Sequence, residues 1–231
     1  MSILRRASTF ALDIAFPPRC LGCGDSGVFI CEDCFAEAPH ALPANRCLKC
    51  WNSNSALRCA SCARFDLRIT ALRSAFSYEG IALDTVHAFK FDSVSALAPA
   101  MAEPMVDVLN RWSPPVDVVV PVPLAWGRRR SRGYNQAELL AREVCRATGL
   151  RLDAGVLRRA RQTAPQSLQP SEEARRRNVA SAFAPGRHAV SGAVLLIDDV
   201  ATTGATLDAC AGVLLARGAD AVYALTFARE D

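Results

Sequence analysis

Val194-Leu-Leu-Ile-Asp-Asp-Val-Ala-Thr-Thr-Gly-Ala-Thr206 decides the fold. Val194 to Ile197 is an apolar run that ends in two adjacent acids, Asp198 and Asp199, and a turn of small residues follows. A short run with no polar face reads as a buried parallel strand, and the helical pattern from Leu207 to Arg217 reads as the helix after it. The turn then lies where a strand's carboxyl end meets a helix's amino end. Free backbone N–H groups and the helix dipole make such a junction a place for anions. Thr202, Thr203 and Thr206 add hydroxyls, and Gly204 lets the backbone approach a ligand closely. Two carboxylates at the strand end would repel a bare phosphate. They suit a ligand that carries hydroxyls and a phosphate on one small frame, a ribose 5-phosphate.

Upstream, Val116 to Pro123 is a second strongly apolar strand. The loop after it, Leu124 to Tyr134, carries Arg128, Arg129, Arg130 and Arg132, and a helix begins at Asn135 or Gln136 and runs to about Gly149. The guanidinium fork gives charge-assisted bonds to phosphate oxygens, although a solvated basic loop has the same composition. Ile69 to Tyr78 alternates loosely like a strand, and Leu83–Phe91 and Ala96–Trp112 have helical spacing. Lys90 lies near the end of the first of these helices, where it either complements the dipole or contacts a ligand.

Eight of the ten cysteines form four Cys-x-x-Cys knuckles: Cys20/Cys23, Cys31/Cys34, Cys47/Cys50 and Cys59/Cys62. Each knuckle turns two thiolates toward one point, so two knuckles complete a four-thiolate zinc site of the closed, structural type. Sequential pairing closes the shorter loops and gives two side-by-side zinc ribbons. A cross-braced pairing, first with third and second with fourth, stays open. A segment this short has little core, and zinc is expected to supply on the order of 10 kcal/mol per site to its folding. Gly22-Cys-Gly-Asp-Ser-Gly27 spells a dinucleotide fingerprint, but it follows no strand and overlaps a knuckle. Cys145 and Cys210 fall on helical patterns as core residues.

The 27 basic and 23 acidic residues leave a net charge of +4, too mild to argue for nucleic acid by itself. No stretch approaches a membrane span of about 20 apolar residues, so no membrane insertion is expected. Ile3, Ala7, Phe10 and Ile14 recur at helical spacing in a short amphipathic helix, and Pro17-Pro18-Arg19 makes a poor cleavage site. A cytoplasmic, reducing compartment is expected, which favours metal over disulfides.

Two resemblances build on these residues. The stretch from Val194 to Thr206 resembles the phosphoribosyl pyrophosphate (PRPP) signature of type I phosphoribosyltransferases. That resemblance implies that Asp198 and Asp199, the catalytic candidates, hold the ribose hydroxyls. It implies also that Thr202, Thr203, Gly204, Ala205 and Thr206 wrap the 5-phosphate. The first-strand loop, with Arg128 and Arg132, would hold the pyrophosphate together with Mg2+, and Asn135 and Gln136 complete the binding set. Pro121-Val-Pro-Leu, the arginine-rich turn and Arg132-Gly-Tyr-Asn-Gln-Ala-Glu-Leu-Leu-Ala141 are similar to ComF-type competence proteins. So are Arg161-Gln-Thr-Ala-Pro-Gln166, Glu173–Val179, and the cysteine knuckles ahead of such a body.

The fold expected is α/β, a type I phosphoribosyltransferase-like parallel sheet flanked by helices over residues 67–231. An N-terminal helix and small double zinc ribbon occupy 1–66. The ComF resemblance implies handling of single-stranded DNA during natural transformation, with DNA-uptake proteins as partners. It leaves open whether transfer is catalysed. Thr202 stands where 6-oxopurine enzymes carry an acid, and the start Met1-Ser2-Ile3 lacks the nucleophilic cysteine of glutamine-dependent amidophosphoribosyltransferases. Three readings compete: a transferase with an unidentified acceptor, a non-catalytic PRPP or nucleotide sensor, and a single-stranded-DNA-handling adaptor.

Overall fold

A computed structural model describes residues 18–41, 45–53, 57–92, 94–125, 127, 130, 133–161, 179 and 181–231. In chain order the strands are β1 (Ala71–Ser77), β2 (Val118–Pro121), β3 (Arg151–Leu152), β4 (Leu157–Arg159), β5 (Phe183–Pro185), β6 (Gly192–Ala201) and β7 (Ala219–Arg229). The helices are α1 (Glu32–Ala36), α2 (Ala60–Arg64), α3 (Gly80–Phe91), α4 (Ala98–Trp112), α5 (Gln136–Thr148) and α6 (Ala205–Leu215). Five strands form one parallel sheet in the order β1-β7-β6-β2-β3, and β4 and β5 form a separate antiparallel pair.

The uniform apolarity of β6 follows from its central place. Val194 and Leu196 enter one core with Leu207, Cys210 and Leu214 of α6. Leu195 and Ile197 enter the other with Phe89 of α3, Met101 and Met105 of α4, and Leu140 and Val144 of α5. A strand covered on both faces needs no polar alternation. α5 ends at Gly149 in the left-handed conformation, φ 75°, the glycine stop that its sequence predicts.

The strand differs from its sequence reading in length. β6 does not stop before the acids but runs through them to Ala201, because β7 continues beside it, with Asp198 opposite Thr226 and Val200 opposite Ala228. The expected helix over Ile3–Ile14 lies outside the described residues, as does the segment from Gln162 to Asn178. Among the described residues no helix is long and apolar enough to cross a membrane.

The cysteine-rich segment covers the sheet edge that β1 would otherwise expose. Ala41 N donates to Ala75 O at 3.0 Å, Ser77 N to Pro39 O at 2.7 Å and Leu72 N to Lys49 O at 2.7 Å. Such coverage removes an open template for strand addition. The segment also straddles the edge. Cys47, Cys50, Trp51, Cys59 and Cys62 join the core on the α6 side. Ile30 and Ala38 join the opposite core, where Phe35 stacks on Phe76 with centroids 5.7 Å apart.

Candidate functional site

β2 and β6 are neighbours and parallel, with Pro121 opposite Ile197, so the loops that leave them open on one edge of the sheet. Ligands of open α/β sheets gather at this carboxyl edge. Just past β2, Val122 N donates to Ile197 O of β6 at 3.0 Å, and Asp198 is the next residue of β6. Asp198 is half-buried and Asp199 is 7% exposed. The Asp199 amide donates to Asp198 Oδ1 at 2.9 Å. Lys90 Nζ lies 2.8 Å from Asp199 Oδ1, so the last turn of α3 delivers a cation to the acid pair.

The segment Gly133–Gln136 fixes the helix end that carries Lys90. Tyr134 OH donates to Phe89 O at 2.6 Å, and Gln136 Nε2 donates to the same carbonyl at 3.4 Å. Asn135 Nδ2 donates to Val122 O at 3.1 Å. Asn135 and Gln136 are both buried, with these amide groups directed at backbone carbonyls. Arg128 and Arg132 lie outside the described residues, and Arg130 is exposed.

The turn after β6 has half-buried Thr202, Thr203 and Thr206 and buried Gly204 and Ala205. Gly204 is the residue that opens α6, at φ 72°. A Cβ there would meet only Leu67 Cδ1 at 3.6 Å, an ordinary contact, so the left-handed backbone and not crowding requires glycine. Thr203 Oγ1 accepts from Ala205 N at 3.3 Å. Arg68 braces the first turn of α6, with its backbone N–H and Nη2 each 2.7 Å from the Asp208 carboxylate.

Burial, with the charge of Asp199 beside it, pushes the Asp198 carboxyl up to about 7 against the pull of Lys90. The native state therefore holds this proton more tightly than the unfolded chain does. The resulting stabilisation is fully present below about pH 4 and is lost as pH rises through about 7. Asp198→Asn should melt above the parent protein at pH 8 and close to it at pH 4. At about 2–4 °C per kcal/mol, the gain should be several degrees; equal melting at pH 8 contradicts this electrostatic picture. An acid that destabilises the fold at neutral pH has no packing role to explain it, and perturbed acids of this kind gather at functional sites.

The eight N-terminal cysteines form two groups of four, Cys20/Cys23/Cys31/Cys34 and Cys47/Cys50/Cys59/Cys62, each with all sulfurs within 4.8 Å of one another. The pairing is thus sequential, and the cross-braced alternative is excluded. Separations are 3.7 Å for Cys20–Cys31, 3.7 Å for Cys23–Cys31 and 3.5 Å for Cys50–Cys59. A Zn–S bond of about 2.3 Å implies tetrahedral edges of about 3.8 Å, so both donor sets fit a metal of that kind. Four sulfurs this close cannot all carry negative charge unless a cation sits among them. Hydrogen bonding from Cys62 draws Cys50 down to about 5, while Cys31 and then Cys20 push Cys34 up to about 12. Backbone amides turn toward the sulfurs as well, Cys31 N to Cys20 Sγ at 3.3 Å and Cys59 N to Cys47 Sγ at 3.4 Å. At Gly22 a Cβ would lie 2.5 Å from Cys34 Sγ, so the glycine of the discarded dinucleotide pattern serves knuckle closure. The groups differ in setting: the second is wholly buried, whereas Cys23 of the first is exposed.

No family model matches the chain. It is 32% identical over 210 residues to the DNA utilization protein YhgH of Salmonella typhi, across 84% of this chain and 82% of that one. YhgH of Escherichia coli strain K12 is 32% identical over 208 residues, across 84% and 81%. Competence protein ComFC of Bacillus subtilis strain 168 is 30% identical over 173 residues, across 72% and 68%. The chain belongs to the ComF family. In this ComF chain the edge of β6 brings together two carboxylates, a lysine and a hydroxyl-lined turn at a helix start. That set can accept hydroxyl donors on the carboxylates and an anion on the turn. The sequence left Lys90 between two readings, and only the approach of α3 to β6 decides that it meets Asp199. Arg229, the charged end of β7, was not anticipated; the signal available was a lone cation closing an apolar run.

Proposed function

We propose that this ComF-family protein binds PRPP with Mg2+ at the carboxyl edge of β6 and β2, and that it serves DNA utilization and competence, the roles named for its relatives. The observation that carries the reading is the meeting of Lys90 with the Asp198–Asp199 pair of β6, just beyond the pairing of β6 with β2 and on the strand that leads into the Thr202–Thr206 turn. The two carboxylates accept the ribose 2- and 3-hydroxyls, and Thr202, Thr203, Gly204, Ala205 and Thr206 surround the 5-phosphate. Arg128 and Arg132 supply charge to the pyrophosphate, and Asn135 and Gln136, expected as ligand contacts, serve instead through their amides on Val122 O and Phe89 O. Mg2+, when bound with the ligand, supplies charge neutralisation at the pyrophosphate. Lys90 keeps the acid pair compatible with an anionic ligand, since a carboxylate pair alone repels phosphate. Both four-cysteine groups hold structural zinc, with Cys20, Cys23, Cys31 and Cys34 on one ion and Cys47, Cys50, Cys59 and Cys62 on the other.

Isothermal titration of the purified protein with PRPP is expected to show saturable binding with Mg2+ and a large loss with a chelator of Mg2+. Pyrophosphate release on adding single-stranded DNA identifies a transferase, and binding without release identifies a sensor. Binding of single-stranded DNA with no response to millimolar PRPP overturns the reading in favour of the adaptor.

A further inference from the structure

We infer that Arg229 is a positioning residue that couples metal occupancy of the second four-cysteine group to the geometry of the Thr202–Thr206 turn. Arg229 is 4% exposed, at the end of β7. Its Nε donates to Cys50 O at 3.0 Å, the carbonyl of a cysteine in the second group. Its Nη1 donates to Ala201 O at 3.0 Å and also to Thr202 O, where β6 becomes the turn. One buried guanidinium thus holds a metal knuckle on one side and the mouth of the ligand turn on the other. Removing a buried cation from its carbonyl partners leaves each of them unsatisfied, so the position of one end constrains the other.

The neighbouring contacts make the brace stiff. Asp231 accepts from Arg46 Nη1 at 2.6 Å and from Ser53 N at 2.9 Å, and Arg46 Nη1 reaches Trp51 O at 3.2 Å. Glu230 N donates to Ala201 O at 2.9 Å. Residues 229–231 are therefore clamped between the second cysteine group and the end of β6. When the knuckle carrying Cys50 loses its metal, the carbonyl that anchors Arg229 Nε is no longer fixed, and the turn loses its brace. The first group, of which only Cys23 is exposed, has no such link among the described residues. Loss of metal from the second group alone would then lower ligand affinity, which makes it a metal-sensitive control.

The ligand arm of this inference rests on the PRPP reading; a second arm does not. Amide hydrogen exchange of residues 202–206 in the wild-type protein should speed up by about tenfold or more when both metals are stripped at pH 7. In Arg229→Gln with both metals still bound, the same amides should already exchange fast. Retention of two metals is checked by elemental analysis, and Arg229→Lys, which keeps the charge but not the fork, should fall between. The reciprocal must also hold: PRPP with Mg2+ should slow the later phase of metal release to a chromogenic chelator in wild type by a similar factor, and not in Arg229→Gln. Exchange at 202–206 that ignores both metal removal and Arg229→Gln overturns the coupling, whatever PRPP does. If Arg229→Gln does not fold, the wild-type comparison with and without metal decides, with the amides of β2 as the control: acceleration confined to 202–206 supports the coupling, and uniform acceleration overturns it. Absence of PRPP binding to wild type, with the exchange response intact, overturns the ligand reading and leaves the coupling standing.

Discussion

Cys62→Ser is expected to melt far below the parent protein, whereas Cys23→Ser should melt close to it with one metal fewer. Cys62 is 1% exposed and shares a core with β6 and α6, so its metal site belongs to the main body. Structural zinc contributes about 10–16 kcal/mol in isolated fingers, against a total stability of about 5–15 kcal/mol for a domain. Loss of the second site is therefore a large destabilisation, set against the two cores that the sheet body keeps. The same event uncovers the edge of β1, because Leu72 loses its bond to Lys49 of the second group. Cys23 is exposed, and its group packs on the sheet through Ile30, Cys34 and Phe35. Metal analysis with thermal unfolding checks both variants. A cooperative wild-type melt for Cys62→Ser would show that the second group is not a structural centre.

The double substitution Asp198→Asn, Asp199→Asn should weaken PRPP binding by about a hundredfold. Each hydrogen bond to a charged group is worth about 1.5–3 kcal/mol, and about 1.4 kcal/mol is tenfold in affinity. Asn keeps the shape and one acceptor, so the loss reports charge and not volume. Misfolding is separable through Asp198→Asn alone, which should gain stability at pH 8 while binding falls, whereas Asp199→Asn also removes the partner of Lys90. Single-stranded DNA binding, where present, should survive, since removing acids reduces repulsion of phosphate. Unchanged PRPP affinity in the well-folded double variant would make the acid pair a feature of the fold alone.

What could be read in the sequence follows from how each feature is encoded. β6 and α6 were legible because a strand covered on both faces is apolar throughout and a glycine turn punctuates it. The eight cysteines were legible because two-residue knuckles have few other uses. Loop length favoured their sequential pairing, but spacing permits two arrangements, and the sulfur positions decide for the sequential one. β7 escaped notice because Ala219–Arg229 is rich in alanine and carries Asp220, Tyr223 and Thr226, which blur both faces of a central strand. The covered edge of β1 depends on backbone bonds from Pro39, Ala41 and Lys49, which leave no trace in side-chain pattern. Lys90 and Arg229 needed the third dimension, because each meets its partners across long stretches of chain.

Crystals grown with PRPP and Mg2+ give the most direct test of the central claim. The account predicts ligand density at the carboxyl edge of β6, with ribose hydroxyls on Asp198 and Asp199 and the 5-phosphate against Thr202–Thr206. Density for PRPP at any other place, or a ligand whose phosphate lies on the far side of the sheet from Thr203, would contradict it.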